Sequence, residues 1–352
     1  MGKKTILFAV NTEFVLSVSI LYYEYFKIEN HDAIWFILTT GENRFKNINI
    51  KMLPGEKYIF RNDLNSFTFC PDLGYIEILK ERDIDEFVYQ NNYFISNLMI
   101  EEFLCSKNKE LIKTYISDSI GINARPSLRL ILISNVYLNF RRLFNHRFRL
   151  PVFIIPTYKY VKGVNVYFSI QQVEKIETEF ISFKDLLAKV SMSNLLPRVF
   201  DYEFQDDYDI YFFTQPITSI SAISQETKNH YVKLVGIISQ NAAISQVKVL
   251  LKIHPGESPS DYYKFQNKYC KVFDVNNIPA ELLFYSIKHK VILSCFSAVS
   301  KLDFSKRNYH YWLFPLLNYK PKFRFESKGI GIIDSLEALN NIFNEIPNRE
   351  DL

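Results

Sequence analysis

Glycine, cysteine and long apolar runs are all scarce in this chain, and each shortage excludes a class of protein. Only 10 of the 352 residues are glycine, and none builds a GxGxxG or Walker-type loop, so dinucleotide and triphosphate fingerprints are excluded. Cysteine occurs at Cys70, Cys105, Cys270 and Cys295. No two of them make a CxxC or CxxxC pair, which leaves no zinc knuckle or dithiol redox site to read. The expectation is four reduced core residues, in keeping with a reducing cytosol. HExxH, GxSxG and paired Cys/His metal spacings are absent as well. An excess of one charge is also missing. Lys+Arg number 42 against 38 Asp+Glu, a net +4, whereas a dedicated nucleic-acid binder gathers cations into stripes; no nucleic-acid partner is expected. A membrane span needs about 20 apolar residues in a row. The N-terminal run that follows Lys3 and Lys4 is broken by Asn11, Thr12 and Glu13, with no small-residue cleavage site after it. The chain reads as soluble, or at most peripheral to a membrane.

What is present is a folded composition, 48% hydrophobic and 23% charged, with 31 Phe and 23 Tyr. Short apolar runs alternate with helical patterns. Thr5–Val10 reads as a strand and Glu13–Phe26 as a helix; Ala33–Thr39, Tyr75–Leu79 and Glu86–Tyr89 read as strands. A helix is expected over 91–107 and a buried strand over Leu111–Ile116. Strands are expected again at Val152–Ile155 and Val164–Phe168, and a connector at Leu195–Asp201. A second series follows: strand Asp209–Phe213, helix Glu226–Ser239, strand Val247–Ile253, loop and helix over 255–269 and short strand Val272–Asp274. Helix Ala280–Ser286, strand Val291–Ser294 and helix Ile333–Ile346 complete it. Repeated strand–helix units imply an α/β fold with parallel sheets covered on both faces. The expected domains are 1–200 and 201–335, with a C-terminal helix and tail over 336–352.

Ligands of open parallel sheets bind outside the carboxyl ends of the strands. Polar residues stand at those ends: Asn11 and Thr12, Asp118, Thr214 and Gln215, His254, Ser294 and Ser297. Two such domains facing each other would place them around one cleft. In Lys252-Ile-His-Pro-Gly-Glu257, Pro255 biases His254 toward an extended conformation that projects its imidazole from the strand end; the plainer reading is a loop histidine without a role. Asp118, with Gly121 three residues on, is either a carboxylate placed to take a proton from a hydroxyl or a helix N-cap. Ser294, Ser297 and Ser300 suit a single-phosphate site at a helix N-terminus, or merely cap a helix. Arg141, Arg142, Arg147 and Arg149 lie among Phe140, Phe144 and Phe148. They form either a solvated helix end or a patch for anionic headgroups or an anionic glycolipid.

The order strand–Asp118-x-Ile-Gly121, Thr214-Gln215-Pro216, Lys252-x-His254-Pro255-x-Glu257 and a serine-bearing strand end resembles bacterial sialyltransferases of the two-domain GT-B fold. The resemblance is nearest to glycosyltransferase family 52, the lipooligosaccharide sialyltransferases, with the bacterial polysialyltransferases second. It runs from the first strand to about residue 305 and rests on order and spacing. It implies two Rossmann-like domains facing across a central cleft, acceptor-side first and donor-side second. It also implies an inverting, metal-independent, cofactor-free transfer of sialic acid from CMP-sialic acid to a sugar hydroxyl, terminal galactose above all. The acceptor would be a bacterial surface glycan or glycolipid, lipopolysaccharide or capsule.

By that resemblance Asp118 is the general base and His254 meets the CMP phosphate and assists its departure. Ser117-Asp118-Ser119 stands where the family has Glu/Asp-Asp-Gly. Thr214, Gln215, Pro255, Glu257, Ser294, Ser297 and Ser300 fall on the donor side, and Asn11, Thr12 and Gly121 on the acceptor side. A homodimer is implied by the resemblance alone. A location on the cytoplasmic face of the bacterial inner membrane is inferred from the missing span and the basic aromatic patch. Two other readings stand beside it: a GT-B transferase using another nucleotide sugar, and a non-catalytic glycan- or nucleotide-binding relative.

Overall fold

A computed structural model of the chain describes residues 4–26, 31–39, 45, 48–61, 74–90, 95–117, 164–169, 178–201, 207–218, 223–254, 257–273, 278–283, 287–297, 300, 303, 308–319 and 329–346. The chain divides into two units, Met1–Asp201 and Tyr202–Leu352.

The first unit contains β1 (Lys4–Val10), α1 (Glu13–Phe26), β2 (His31–Thr39), β3 (Glu56–Arg61), α2 (Gly74–Lys80) and β4 (Glu86–Gln90). It continues with α3 (Ile95–Lys107), β5 (Ile112–Ile116), β6 (Val166–Ser169), β7 (Glu179–Ser182), α4 (Phe183–Leu187) and α5 (Leu195–Phe200). Its strands form one sheet in the order β3-β2-β1-β4-β5-β6-β7, and each pairing is parallel. Every side chain from Ile6 to Val10 is fully buried, because a parallel sheet carries its crossover helices on both faces. On one face Leu7 and Ala9 pack with Ile34, Phe36 and Phe87. On the other, Phe8 stacks on Trp35 with ring centroids 4.2 Å apart. Between α1 and the sheet, Glu86 is fully buried. It accepts hydrogen bonds from the Tyr22 and Thr114 hydroxyls, each at 2.7 Å, as a buried carboxylate requires.

Tyr75–Leu79, expected as a strand from its alternation, is helix α2. Tyr75 and Leu79 are four residues apart and both fully buried, so the helical period sets the inward face. Glu77 and Lys80 pair outside at 2.7 Å. The expected connector is helix α5, which ends where Asp201 turns left-handed at φ 47°. Strands β3, β7, β12 and β13 were not among the expected elements. Cys105 is exposed and not in the core, whereas Cys270 and Cys295 are buried, and all three are free thiols.

The second unit contains β8 (Ile210–Phe213), α6 (Gln225–Ser245), β9 (Val249–Lys252), β10 (Cys270–Phe273), α7 (Ala280–Leu283), β11 (Val291–Ser294), β12 (Tyr309–Trp312), β13 (Gly331–Ile332) and α8 (Leu336–Glu345). Its order is β10-β9-β8-β11-β12-β13, again all parallel. Helix α6 starts where Ser224 accepts from the Thr227 amide and ends at Gln246, φ 57°. Its inward stripe, Tyr231, Leu234, Val235, Ile238 and Ala242, recurs every three or four residues. That stripe carries the helix past the expected end at Ser239. Residues 255–269, expected to hold a helix, form two 3₁₀ turns among the described residues, Pro259–Asp261 and Tyr263–Phe265. Helix α8 is part of this unit; Asn340 on it accepts from Asn241 on α6 at 2.7 Å.

Both sheets follow the doubly wound order, in which the chain reverses its direction of travel between the first and fourth strands of the unit. The switch points are therefore β1/β4 and β8/β11. In open parallel sheets ligands bind outside the carboxyl ends of the strands at such points.

Candidate functional site

At the β8/β11 switch point the backbone leaves three strand ends within a few residues, and a hydrogen-bond network joins them. The amide of Thr214 donates to the Lys252 carbonyl at 3.0 Å, which extends the β8–β9 pairing. The Thr214 hydroxyl accepts from the His254 amide at 2.8 Å and donates to Glu257 Oε2 at 2.6 Å. The Glu257 amide donates to the His254 carbonyl at 2.9 Å. His254 is thus held at both its backbone groups, and the residue is exposed at the end of β9. The Gln215 amide donates to the Tyr231 hydroxyl at 3.1 Å, and Gln215 Oε1 accepts from the Phe296 amide at 2.8 Å. Tyr231 and Tyr262 share a hydroxyl contact of 3.1 Å, and Tyr262 donates to Glu257 Oε1 at 2.5 Å.

Burial governs the electrostatics. Desolvation pushes the Glu257 carboxyl up from 4.5 to about 7, against the hydrogen bonds from Thr214, Tyr262 and the His254 backbone that favour its charge. Desolvation, then the charge of Glu257, raises the Tyr231 and Tyr262 hydroxyls well above the phenol range. The buried Cys295 thiol is raised by the same two causes, so it is a packing residue and not a nucleophile.

The serines of this end are placed unequally. Ser294 is fully buried, and its Oγ accepts from the Ser297 amide at 3.4 Å. The Ser297 carbonyl accepts from the Trp312 indole at 3.3 Å. Ser300 is buried and its hydroxyl has no hydrogen-bond partner. The structure therefore brings Thr214, Gln215, His254 and Glu257 into one network and places Ser294 and Ser297 on the adjoining strand end. Tyr231 and Tyr262 were not anticipated, and their only sequence signal is that Tyr262 follows Glu257 by five residues; Cys295 is the expected reduced core thiol.

In the first unit Asn11, at the end of β1, is fully buried. Its Oδ1 accepts from Asn97 of α3 at 3.2 Å, and its Nδ2 has no partner. Thr12 caps α1: its hydroxyl accepts from the Val15 amide at 3.2 Å. Ser117, just past β5, is fully buried with an unpartnered hydroxyl. Asp118, Gly121, Pro255 and the cluster Arg141, Arg142, Arg147 and Arg149 lie outside the described residues, as do Cys70 and the expected strand Val152–Ile155. Among the described residues no three His, Cys, Asp or Glu side chains cluster to hold a metal ion. No described helix is long and apolar enough to cross a membrane.

No protein-family model matches the chain, and no curated protein matches it in sequence. Solved structures do match along its whole length. It is similar to a putative UDP-N-acetylglucosamine 2-epimerase from Listeria monocytogenes, with TM-score 0.54 and 10% identity over 100% of this chain and 89% of that one. It is similar to the GT-B domain of a sialyltransferase from Photobacterium damselae, with TM-score 0.51 and 11% identity over 97% and 96%. It is similar to an Arabidopsis thaliana protein solved with UDP-L-rhamnose, with TM-score 0.51 and 11% identity over 99% and 91%. Two parallel, doubly wound α/β units in one chain, matched end to end by such structures, give this protein the GT-B fold.

Proposed function

We propose that the protein is an inverting, metal-independent glycosyltransferase that moves sialic acid from CMP-sialic acid to a sugar hydroxyl, terminal galactose of a bacterial surface glycan above all. The observation that carries this reading is the network at the β8/β11 switch point. There the Thr214 hydroxyl and the Glu257 amide hold both backbone groups of His254 at a strand end. An exposed imidazole at the carboxyl edge of a parallel sheet is where a departing nucleotide phosphate would be met. The GT-B sialyltransferase domain among the similar structures supports the reading at the level of fold.

In the proposed step the acceptor oxygen attacks the anomeric carbon and the bond from that carbon to the CMP phosphate oxygen breaks. An alcohol is too weak an acid to ionise first, so its proton passes to Asp118 during attack. Asp118 takes this role from the sequence motif. CMP leaves with the bonding electron pair. His254 donates a hydrogen bond to the phosphate as its charge grows, and hydroxyls of the Ser294–Ser300 segment add to that stabilisation. Removal of one such donor costs about 10²–10³ in rate.

A donor other than CMP-sialic acid is the second reading, since the similar structures include one solved with UDP-L-rhamnose. The test is turnover with a panel of CMP- and UDP-sugars, using galactose-terminated acceptors and mass-spectrometric identification of the product. A sialylated product from CMP-sialic acid alone supports the first reading. Product from a UDP-sugar alone supports the second, and thermal stabilisation by CMP without turnover supports a binding relative.

A further inference from the structure

We infer that Glu257 is a positioning residue whose carboxylate anchors the ends of β8 and β9, and with them His254, and does not itself touch the donor. The inference rests on the proposed function for the reaction it names, and on geometry for the anchoring. Both carboxylate oxygens are already engaged within the protein, Oε1 by Tyr262 at 2.5 Å and Oε2 by Thr214 at 2.6 Å.

The protons of the network can be assigned one by one. Tyr262 gives its proton to Glu257, so in the 3.1 Å contact with Tyr231 it must accept. Tyr231 is then a donor to Tyr262 and an acceptor from the Gln215 amide. Thr214 likewise donates to Glu257 while it accepts from the His254 amide. Two donor chains therefore run one way and end on one carboxylate: Gln215 amide to Tyr231 to Tyr262 to Oε1, and His254 amide to Thr214 to Oε2. An ionised carboxylate is an acceptor only and satisfies both chains at once. A side chain with one acceptor oxygen satisfies one of them. Since Gln215 also receives the Phe296 amide at 2.8 Å, the loop after β11 is tied to the same point. Glutamate is suited to this position because the donor chains from two strand ends, those of β8 and β9, both terminate on its carboxylate. Desolvation of the carboxyl opposes this arrangement, and the two hydroxyls and the His254 backbone offset part of that cost.

The test compares wild type, Glu257→Gln and Glu257→Ala by amide hydrogen exchange and donor kinetics on the full chain. In Glu257→Ala the Gln215 and His254 amides should exchange at least about tenfold faster, while the interior amides of β8 and β9 keep their rates. In Glu257→Gln one of the two should recover, because the amide retains one acceptor. The kcat for donor turnover should fall about tenfold or more in Glu257→Ala, with donor KM changed less than about threefold, because His254 acts on the departing phosphate. Unchanged protection at both amides overturns the inference, as does uniformly faster exchange throughout the unit, which would mark a general packing role. A loss confined to donor KM would instead make Glu257 a donor contact. If wild type turns over no CMP- or UDP-sugar, the proposed function fails, and the exchange result alone decides the anchoring.

Discussion

The carboxyl of Glu257 should make the second unit less stable as pH rises, opposite to the usual behaviour of a paired carboxylate. Its value is raised from 4.5 to about 7, with desolvation the largest cause. A carboxyl raised on folding binds its proton more tightly in the native state. Stability is then greatest below about 4.5 and falls as pH passes from there through about 7. At 1.36 kcal/mol for each tenfold change in proton affinity, the loss approaches about 3 kcal/mol at pH 8. Water reaching the half-buried carboxyl reduces that figure. For a unit of this size 1 kcal/mol moves Tm by about 2–4 °C, so the effect is readable by calorimetry or urea unfolding.

The perturbation is Glu257→Gln, which cannot ionise and keeps the shape. At pH 5 wild type and variant should lie within about 1 kcal/mol, since a protonated carboxyl and a carboxamide each present one carbonyl acceptor beside a donor. Between pH 5 and pH 8 the stability difference should move in the variant's favour by about 1–3 kcal/mol. Groups that titrate elsewhere cancel in the comparison. Those facing Glu257 are Asp261 and Tyr262 of the following turns, Tyr231 of α6 and Cys295 after β11. Parallel stability–pH curves for the two proteins would refute the reasoning, because the native carboxyl would then titrate as it does in the unfolded chain.

Further outcomes are expected. Asp118→Ala and His254→Ala should each abolish transfer from CMP-sialic acid while circular dichroism and Tm stay near wild type; near-native turnover in either would remove that residue from the mechanism. Charge reversal at Arg141, Arg142, Arg147 and Arg149 should weaken binding to anionic vesicles and leave transfer to short soluble acceptors unchanged, and equal loss on both would make the cluster structural. Gly55→Ala should lower stability by about 2 kcal/mol or more in thermal unfolding. Gly55 sits at φ +76°, and a Cβ there would meet the Ala33 carbonyl oxygen at 2.1 Å. Tyr22→Phe should cost about 1–3 kcal/mol, because it removes one of the two hydroxyls that serve buried Glu86; an unchanged Tm would mean that water replaces it.

Elements with one reading in the sequence were found where that reading put them. Helix Glu13–Phe26 and strand Val291–Ser294 match residue for residue, since each begins directly after a polar residue, Thr12 and Lys290, and carries an unbroken apolar run or face. Elements at the sheet margins were not legible. Strand β3 (Glu56–Arg61) has charge at both ends and leaves Ile59 exposed, so its own residues carry little strand signal; pairing with β2 makes it a strand. Tyr75–Leu79 fits either period over so short a run, and the buried pair at four-residue spacing decides for helix.

The order of apolar and polar segments was enough to determine a parallel α/β chain of two units and to put His254, Thr214 and Gln215 at strand ends. Those properties are local, because each depends on where an apolar run stops. Which groups face one another at a strand end is not local. Tyr231 and Tyr262 stand 31 residues apart and Gln215 and Phe296 stand 81 apart, and only the doubly wound order places β9, β8 and β11 side by side. The burial that lifts the Glu257 carboxyl and the convergence of two donor chains on it arise from that packing, because desolvation is a property of the surrounding volume and not of the residue.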